Sequence, residues 1–291
     1  MTHDEPDRII HADNLAVLPT FPDGRFTLIY LDPPFNTGRP QTRQSTRHVR
    51  VPASDPDAAA PATSGTITGF AGKRYERIRG DLLRYDDRFD DYWGFLEPRL
   101  IEAWRLLADD GTLYLHLDYR EAHYAKVLLD ALFGRECFLN ELIWAYDYGA
   151  KAKRKWPTKH DTILVYVKNP SAYWFDSTAV DREPYMAPGL VTPEKAELGK
   201  LPTDVWWHTI VSPTGREKTG YPTQKPEGIL RRIVQASTRE GDWVLDFFAG
   251  SGTTGAVAAT LGRRFVLVDE NPEAIAVMRA RFANIEGVEF G

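Results

Sequence analysis

Short apolar runs alternate with stretches of helical periodicity along most of the chain. Nearly unbroken apolar runs are typical of buried parallel strands, and they predict strands at 9–12, 26–31, 112–117, 139–146, 162–167, 243–246 and 265–268. Apolar residues at helical spacing predict helices at 92–107, 122–133, 227–237, 254–261 and 272–284, with a short helical turn at 15–18. The alternation predicts an α/β protein with a mostly parallel sheet, in which 139–146 and 162–167 form an antiparallel edge hairpin.

Two stretches interrupt this pattern. Residues 39–80 carry basic clusters on either side of a Pro/Ala-rich segment and have no periodic apolar face, which predicts a mobile surface loop. Residues 169–222 are rich in proline and are predicted to be irregular. We expect both stretches to belong to one domain that spans residues 1–291.

The composition is that of an ordinary globular protein. The chain has 291 residues, of which 43% are hydrophobic and 26% charged, and its net charge of −5, taken globally, argues against a nucleic-acid binder. The distribution of charge matters more than its sum, because acids crowd residues 81–91 while bases cluster elsewhere. A single cysteine, Cys137, fits a reducing cytoplasm and is expected to pack rather than react. The acidic N-terminus is not typical of a signal peptide, and no apolar run approaches membrane-spanning length.

The apolar run at 26–31 ends in Asp32-Pro33-Pro34-Phe35. Prolines end a central strand because they lack the N–H that the ladder needs, so Asp32 and Phe35 should lie just past the carboxyl end of a strand, where open α/β sheets bind ligands. Two prolines make a stiff corner, a carboxylate accepts N–H bonds and a phenyl ring offers a flat face. Together they suit a planar ring with an exocyclic amino group; an ordinary turn is the alternative.

A second motif lies far down the chain. The run at 243–246 leads into the glycine-rich segment 250–255, and the next apolar run ends in Asp269-Glu270. Glycines let the backbone approach a ligand closely, and an acid after the second strand can hold ribose hydroxyls, so the motif predicts a nucleoside-cofactor half-site. Gly250-x-Gly252-x-x-Gly255 also fits the dinucleotide fingerprint, and alone it does not choose between NAD and S-adenosylmethionine.

Taken together and in this order, the motifs resemble those of the β-group amino-methyltransferases of DNA. The resemblance covers roughly residues 8–38 and 80–285 and rests on three segments, which are Asp32-Pro33-Pro34-Phe35, Tyr221-Pro222-Thr223-Gln224-Lys225-Pro226 and Asp246-x-x-Ala249-Gly250-Ser251-Gly252-Thr253-Thr254. Phe247 stands where the family usually has proline, which affects the shape of the cofactor loop but none of its polar contacts.

The resemblance implies S-adenosylmethionine as the cofactor and a set of residues that hold it. These residues are Asp13, Asn14, Asp32, Thr223, Lys225, Asp246, Phe248, Ala249, Gly250, Ser251, Gly252, Thr253, Thr254, Asp269 and Glu270. For Asp13 the alternative is a helix cap, and for Lys225 it is an ordinary surface lysine.

The implied reaction is methyl transfer to an exocyclic amino nitrogen of a base that is rotated out of double-stranded DNA. The implied catalytic residues are Asp32, Pro33, Pro34 and Phe35, with the carboxylate of Asp32 and the carbonyl of Pro33 accepting the amino N–H bonds and Phe35 stacking on the base. An aspartate at the first position usually accompanies adenine in this family, so N6 of adenine is predicted and N4 of cytosine is the alternative. Further alternatives are an inactive DNA-binding relative, a methyltransferase of RNA or of protein glutamine, and an NAD-dependent enzyme.

Double-stranded DNA is the implied partner. The basic residues expected to contact it are Arg39, Arg43, Lys151, Lys153, Arg154 and Lys155. The loop at 39–80 is then either a flap that contacts DNA or a solvated insertion, and 169–222 occupies the place of the target-recognition segment. That segment is short, which implies a small DNA-reading surface or help from a second subunit. For its Trp206 and Trp207 we expect a local hydrophobic cluster rather than base contact. A homodimer and a cognate restriction endonuclease are partners that the resemblance leaves open.

The order of the motifs predicts the arrangement of the sheet. Only 36 residues follow Gly255, and they supply little more than one further strand and two helices. The remaining strands must therefore come from upstream, which predicts a circularly permuted Rossmann-like sheet whose last helix returns the chain to the strand at 9–12. No cluster of metal ligands is visible in the sequence.

Overall fold

The computed structural model describes residues 5–34, 47–50, 66–68, 74–78, 89–147, 151–212, 214–221 and 223–291. They divide into two compact units, one formed by residues 1–35 with 106–291 and the other by residues 36–105. The single domain expected over residues 1–291 stays a prediction.

The described residues form twelve strands. In chain order these are β1 (Asp7–His11), β2 (Phe26–Leu31), β3 (Arg47–Arg50), β4 (Thr66–Thr68), β5 (Arg74–Ile78), β6 (Leu107–Leu117), β7 (Phe138–Ala145), β8 (His160–Val167), β9 (Val205–Trp207), β10 (Trp243–Asp246), β11 (Arg264–Asp269) and β12 (Val288–Phe290). The α-helices are α1 (Asn14–Val17), α2 (Phe89–Leu106), α3 (Ala122–Phe133), α4 (Pro193–Leu198), α5 (Glu227–Ser237), α6 (Thr253–Thr260) and α7 (Pro272–Arg281). Short 3₁₀ turns lie at Leu18–Thr20, Arg135–Cys137 and Pro188–Leu190.

The larger unit is built on a nine-stranded sheet in the order β12-β1-β11-β10-β2-β6-β8-β7-β9. The strands from β12 to β6 all pair in parallel, and each of the six residues of β2 is buried, as expected for a parallel strand covered on both faces. The glycine-loop strand β10 and its successor β11 lie between β1 and β2, so strands from upstream complete the sheet as predicted. Circular permutation, which is a relation to other folds, stays a prediction.

The two ends of the described chain meet at one edge of this sheet. β12 pairs in parallel with β1, with Ile9 opposite Phe290, and the side chain of Arg264 donates to Asp7 at 2.8 Å. The expectation that the last helix returns the chain to the first strand is confirmed. The additional strand β12 was not predicted.

The opposite end of the sheet contains the antiparallel pairings. β8 runs antiparallel to both β6 and β7, and β7 therefore runs in the same direction as β6 and β2. The hairpin is not the edge of the sheet, because the short strand β9 pairs in parallel with β7 beyond it. The carboxyl ends of β1, β2, β6, β7, β9, β10 and β11 thus lie along one edge, which we call the carboxyl edge. The connection from β7 to β8 also lies there.

The smaller unit corrects the prediction of a loop without regular structure at 39–80. β5 pairs antiparallel with both β3 and β4, which makes a separate three-stranded sheet, and the remaining residues of 39–80 lie outside the described ranges. These strands have only three to five residues each. Antiparallel pairing defines them, and the sequence of 39–80 has no periodic apolar face from which they could be predicted.

Candidate active site

Asp32 follows the carboxyl end of β2, and Lys225 reaches it from the segment before α5. The ammonium group of Lys225 donates to Oδ2 of Asp32 in a short ion pair. The other oxygen, Oδ1, is buried and has no hydrogen-bond partner among the described residues. A buried carboxylate oxygen without a donor is costly, so this atom is suited to accept an N–H from a ligand. Lys225 is therefore part of the site rather than an ordinary surface lysine.

Asp246 holds the start of the glycine loop at the end of the neighbouring strand β10. Its carboxyl group accepts the backbone N–H of Phe248 at 3.0 Å and the hydroxyl of Thr254 at 2.6 Å. Burial raises the pKa of Asp246 to about 7, the two hydrogen bonds lower it, and the nearby carboxylates of Asp32 and Asp269 raise it. Three acidic groups thus face the same part of the carboxyl edge.

Asp269, at the end of β11, fixes the other side of the loop. One oxygen accepts the backbone N–H of Gly250 at 2.7 Å and the other accepts the N–H of Asn271 at 2.8 Å, at the start of α7. The side chain of Glu270 is exposed, and its carbonyl oxygen lies 3.1 Å from Nε2 of His11. Of the two neighbouring acids, Asp269 is therefore the one that belongs to the loop.

Two glycines give the loop its shape. Gly250 and Gly252 have φ values of 49° and 73°, in the left-handed region that disfavours other residues. A Cβ on Gly252 would lie 2.8 Å from Cγ of Met278, and one on Gly250 would lie 3.2 Å from the ring of Tyr221. Both positions thus require glycine for backbone conformation and for close packing.

Residues from two other segments complete the surroundings of the loop. The buried side chain of Asn14 donates to the carbonyl of Phe247 at 3.0 Å, and Asp13 accepts the N–H of Leu15 at 2.8 Å as the cap of α1. Thr253 donates to the carbonyl of Lys225 at 3.2 Å. The structure thus brings Asn14 and Lys225 to the loop and gives Asp13 the capping role that the sequence analysis offered as an alternative.

The remaining loop residues differ in exposure. Ala249, Ser251, Thr253 and Thr254 are buried, Phe248 is half-buried, and Thr223 is exposed. Pro33 is buried and Pro34 is exposed, while Phe35, Arg39 and Arg43 lie outside the described residues.

Sequence reasoning missed a buried polar network beside Asp32. The hydroxyl of Tyr30 lies 2.7 Å from Nδ1 of His116, whose Nε2 lies 3.3 Å from Asp161, and Asp161 also accepts the hydroxyl of Tyr146 at 3.1 Å. Burial opposes ionisation of Asp161, but the hydrogen bond and charge of His116 and the charge of Lys225 outweigh it and lower its pKa. A lone histidine within the apolar run at 112–117 is the signal that could have revealed this network.

Arg281 was missed as well. Its guanidinium group donates to the carbonyl of Ser251 and to the hydroxyl of Thr253, both at 3.2 Å, and it pairs with Glu227 at 2.6 Å. This side chain from the end of α7 thus ties the glycine loop to the start of α5. Its position within the helix predicted at 272–284 gave no sign of that role.

The basic segment between β7 and β8 lies at the carboxyl edge. The charged side chains of Lys151, Lys153, Arg154 and Lys155 are exposed, and Nζ of Lys155 lies 5.9 Å from the ring centre of Tyr119. Trp206 and Trp207, predicted to form one cluster, differ: Trp206 is 7% exposed and packs in the core, whereas Trp207 is 74% exposed. The prediction is confirmed for Trp206 and wrong for Trp207, because successive side chains of a strand point to opposite faces.

Within the described part of the chain, no helix is long and apolar enough to cross a membrane. No group of three or more potential metal ligands occurs among those residues either. Cys137 is buried, and burial raises the pKa of its thiol, which agrees with a packing role.

The site is that of a Rossmann-like enzyme that binds a nucleoside cofactor. A glycine loop held by two carboxylates lies beside a third carboxylate, at the edge where α/β sheets bind ligands. The sequence model of the N6/N4 DNA methylase family matches residues 26–280. The chain therefore belongs to this family and is an S-adenosylmethionine-dependent DNA methyltransferase.

Individual relatives agree with the family. The chain is 30% identical over 279 residues to the DNA adenine methyltransferase YhdJ of Escherichia coli K12, which covers 93% of this chain and 81% of the relative. It is 46% identical over 279 residues to the type II methyltransferase M2.LlaDCHI of Lactococcus lactis subsp. cremoris, which covers 94% and 88%.

Solved structures share the fold. The cytosine-N4-specific PvuII DNA methyltransferase matches with a TM-score of 0.67 and 16% identity, covering 98% of this chain and 92% of that one. The M1.HpyAVI–S-adenosylmethionine complex matches with a TM-score of 0.58 and 21% identity, covering 96% and 99%.

Proposed function

We propose that this methyltransferase transfers a methyl group to N6 of adenine in double-stranded DNA, after the base has been rotated out of the helix. The observation that carries the proposal is the state of Asp32. One oxygen is held by Lys225, and the other is buried without a donor among the described residues, beside the glycine loop. An exocyclic amino group supplies the missing donor.

The amino group would be held by two acceptors. Oδ1 of Asp32 accepts one N–H and the carbonyl of Pro33 accepts the other, which directs the nitrogen lone pair out of conjugation with the ring. As the nitrogen would form its bond to the methyl carbon, the bond from that carbon to the cofactor sulfur would break and leave its electron pair on sulfur. The nitrogen would become positive, and the adjacent carboxylate of Asp32 would stabilise that charge. The nitrogen then gives up one proton to Asp32, from which solvent removes it. Lys225 acts as a positioning residue that fixes the rotation of the carboxylate.

The residues around the loop fit S-adenosylmethionine. The cofactor supplies an electrophilic methyl group on sulfur. Asp269 is proposed to hold the ribose, while the glycine loop from Phe248 to Thr254 gives the backbone a close approach to the cofactor. Asn14 and Lys225 adjoin the loop, and the exposed Thr223 and Glu270 would complete the site.

Adenine rather than cytosine is supported by two observations. An aspartate at the first position of the tetrapeptide, here Asp32, usually accompanies adenine in this family. The curated relative from Escherichia coli, which aligns with 93% of this chain, is named a DNA adenine methyltransferase. The PvuII enzyme acts on cytosine N4, but at 16% identity it shows the fold alone.

The basic segment at the carboxyl edge is proposed to contact DNA phosphates. Lys151, Lys153, Arg154 and Lys155 are exposed there, and Arg39 and Arg43 belong to the same proposal. Residues 169–222 are the proposed target-recognition segment. The protein is also proposed to form a homodimer, to act beside a cognate restriction endonuclease and to be located in the cytoplasm.

Identification of the product tests the choice of base. DNA methylated by the purified protein is digested to nucleosides and analysed by mass spectrometry, and N6-methyladenine is expected. N4-methylcytosine without N6-methyladenine would refute adenine as the target.

A substitution of Asp32 tests its role. We expect Asp32→Ala to lower the turnover number by at least about 100-fold and to leave cofactor affinity within several-fold, since the residue acts on the substrate amine. Glu289→Ala, which removes an exposed acid from β12, is the control. Calorimetry that shows cofactor binding lost as completely as turnover would contradict the assignment.

A further inference from the structure

Trp156 is an exposed aromatic residue within the basic segment. Its side chain is 94% exposed, an unusual state for a large apolar ring. Pro157 follows it, and a residue that precedes proline is confined to extended conformations. The chain therefore presents this ring to solvent from a restricted backbone.

The segment lies close to the strand that carries Asp32. Nζ of Lys155 is 5.9 Å from the ring centre of Tyr119, which follows the carboxyl end of β6. β6 is the immediate neighbour of β2 in the sheet. Lys155, which directly precedes Trp156, therefore lies beside the carboxyl end of the strand that neighbours β2.

The base of the segment is firmly held. The N–H of Tyr146 donates to the carbonyl of Lys159 at 3.0 Å, and Nζ of Lys159 donates to the carbonyl of Asp147 at 3.0 Å. The hydroxyl of Tyr146 continues into the buried network of Asp161, His116 and Tyr30. Because Tyr30 in β2 lies two residues before Asp32, these bonds connect the base of the segment to the end of β2.

We propose that Trp156 enters the DNA base stack and fills the gap left by the rotated base. This inference rests on the proposed function. The exposed cations that precede it, Lys153, Arg154 and Lys155, match the charge of a DNA backbone, and an aromatic ring can replace the stacking that a departing base takes away. Insertion also removes the exposed ring from water, which favours the rotated state over the stacked one.

Fluorescence and binding test the proposal on the site that the wild-type protein methylates in plasmid DNA. The probe is a duplex with that site and a fluorescent analogue of the target base, whose emission rises when the base leaves the stack. We expect Trp156→Ala to weaken binding by about 5- to 150-fold and to reduce the emission rise, with the salt dependence of binding unchanged because tryptophan carries no charge. Trp156→Phe should restore most of both signals.

Two controls separate this role from others. Tyr124→Ala removes a ring that is 49% exposed on α3, outside the basic segment and the proposed target-recognition segment, and it should keep the emission rise. An unchanged melting temperature shows that Trp156→Ala is folded. Wild-type affinity and emission in Trp156→Ala, or an equal loss of the emission rise in Tyr124→Ala, would overturn the inference while the proposed function stands. Wild-type protein that neither binds nor methylates DNA would overturn both.

Discussion

Replacement of Asp246 by asparagine should remove a specific pH dependence of stability. Burial and neighbouring carboxylates raise the pKa of this group from the ordinary 3.8 to about 7 in the folded protein. Between about pH 4 and pH 7 the unfolded chain loses this proton while the folded protein keeps it, so the unfolded state is increasingly favoured as the pH rises. The difference between the two pKa values corresponds to about 4 kcal/mol, present as stability below pH 4 and lost as the pH passes 7.

Asparagine has no proton to lose at this position. Its carbonyl oxygen can accept from the N–H of Phe248 or from Thr254, and the donor left without a partner lowers stability by about 1–3 kcal/mol at every pH. The informative quantity is therefore the difference in unfolding free energy between wild type and Asp246→Asn as a function of pH. That difference should move by up to about 4 kcal/mol in favour of the variant between pH 4 and pH 8.

Urea unfolding followed by circular dichroism at half-unit pH intervals measures the difference. Glu289→Gln, which neutralises an exposed acid, should give a nearly flat difference and serves as the control. A flat difference for Asp246→Asn would refute the reasoning. It would mean that the two hydrogen bonds outweigh burial and keep the carboxylate ionised throughout.

Three further predictions concern the loop and the basic segment. Asp269→Ala should weaken S-adenosylmethionine binding by about 1–3 kcal/mol, because the proposed ribose contact is lost and the N–H groups of Gly250 and Asn271 lose their acceptor; an unchanged dissociation constant in calorimetry would assign the ribose elsewhere. Gly252→Ala should lower the unfolding free energy by at least about 1–2 kcal/mol in urea titration, since its left-handed backbone disfavours a side chain, and an equally stable variant would contradict this. Replacing Lys151, Lys153 and Lys155 with alanine should weaken binding to all DNA sequences and reduce the salt slope by roughly one for each lost phosphate contact, whereas an unaltered slope would make the segment a solvated hairpin.

The sequence predicted best the bounds of elements whose buried residues follow a regular pattern. The run Phe26–Leu31 is fully buried and has the predicted bounds, and the helix Glu227–Ser237 is amphipathic and also matches. The strands β9 and β12 were missed because they have only three residues each, and pairing with a neighbouring strand defines them. The strand β6 begins at Leu107 rather than at the predicted residue 112.

The site was predictable only in part for a similar reason. Motifs identified Asp32 and the glycine loop, because each is a short segment with its own chemistry. The pairing of Asp32 with Lys225, 193 residues apart, depends on the folded sheet. The network through His116 likewise joins three strands, and none of its members has a local signature.

The placement of β10 and β11 between β1 and β2 has a consequence for synthesis on the ribosome. The first two strands to emerge cannot complete their parallel pairing until the strand that ends at Asp269 has been made. At about 5–20 residues per second this delay is roughly ten seconds to a minute. A nascent chain thus carries the carboxylate of Asp32 long before it has the glycine loop beside it. Release of a chain that stops before β10 would give a protein with Asp32 and no means of methylating DNA.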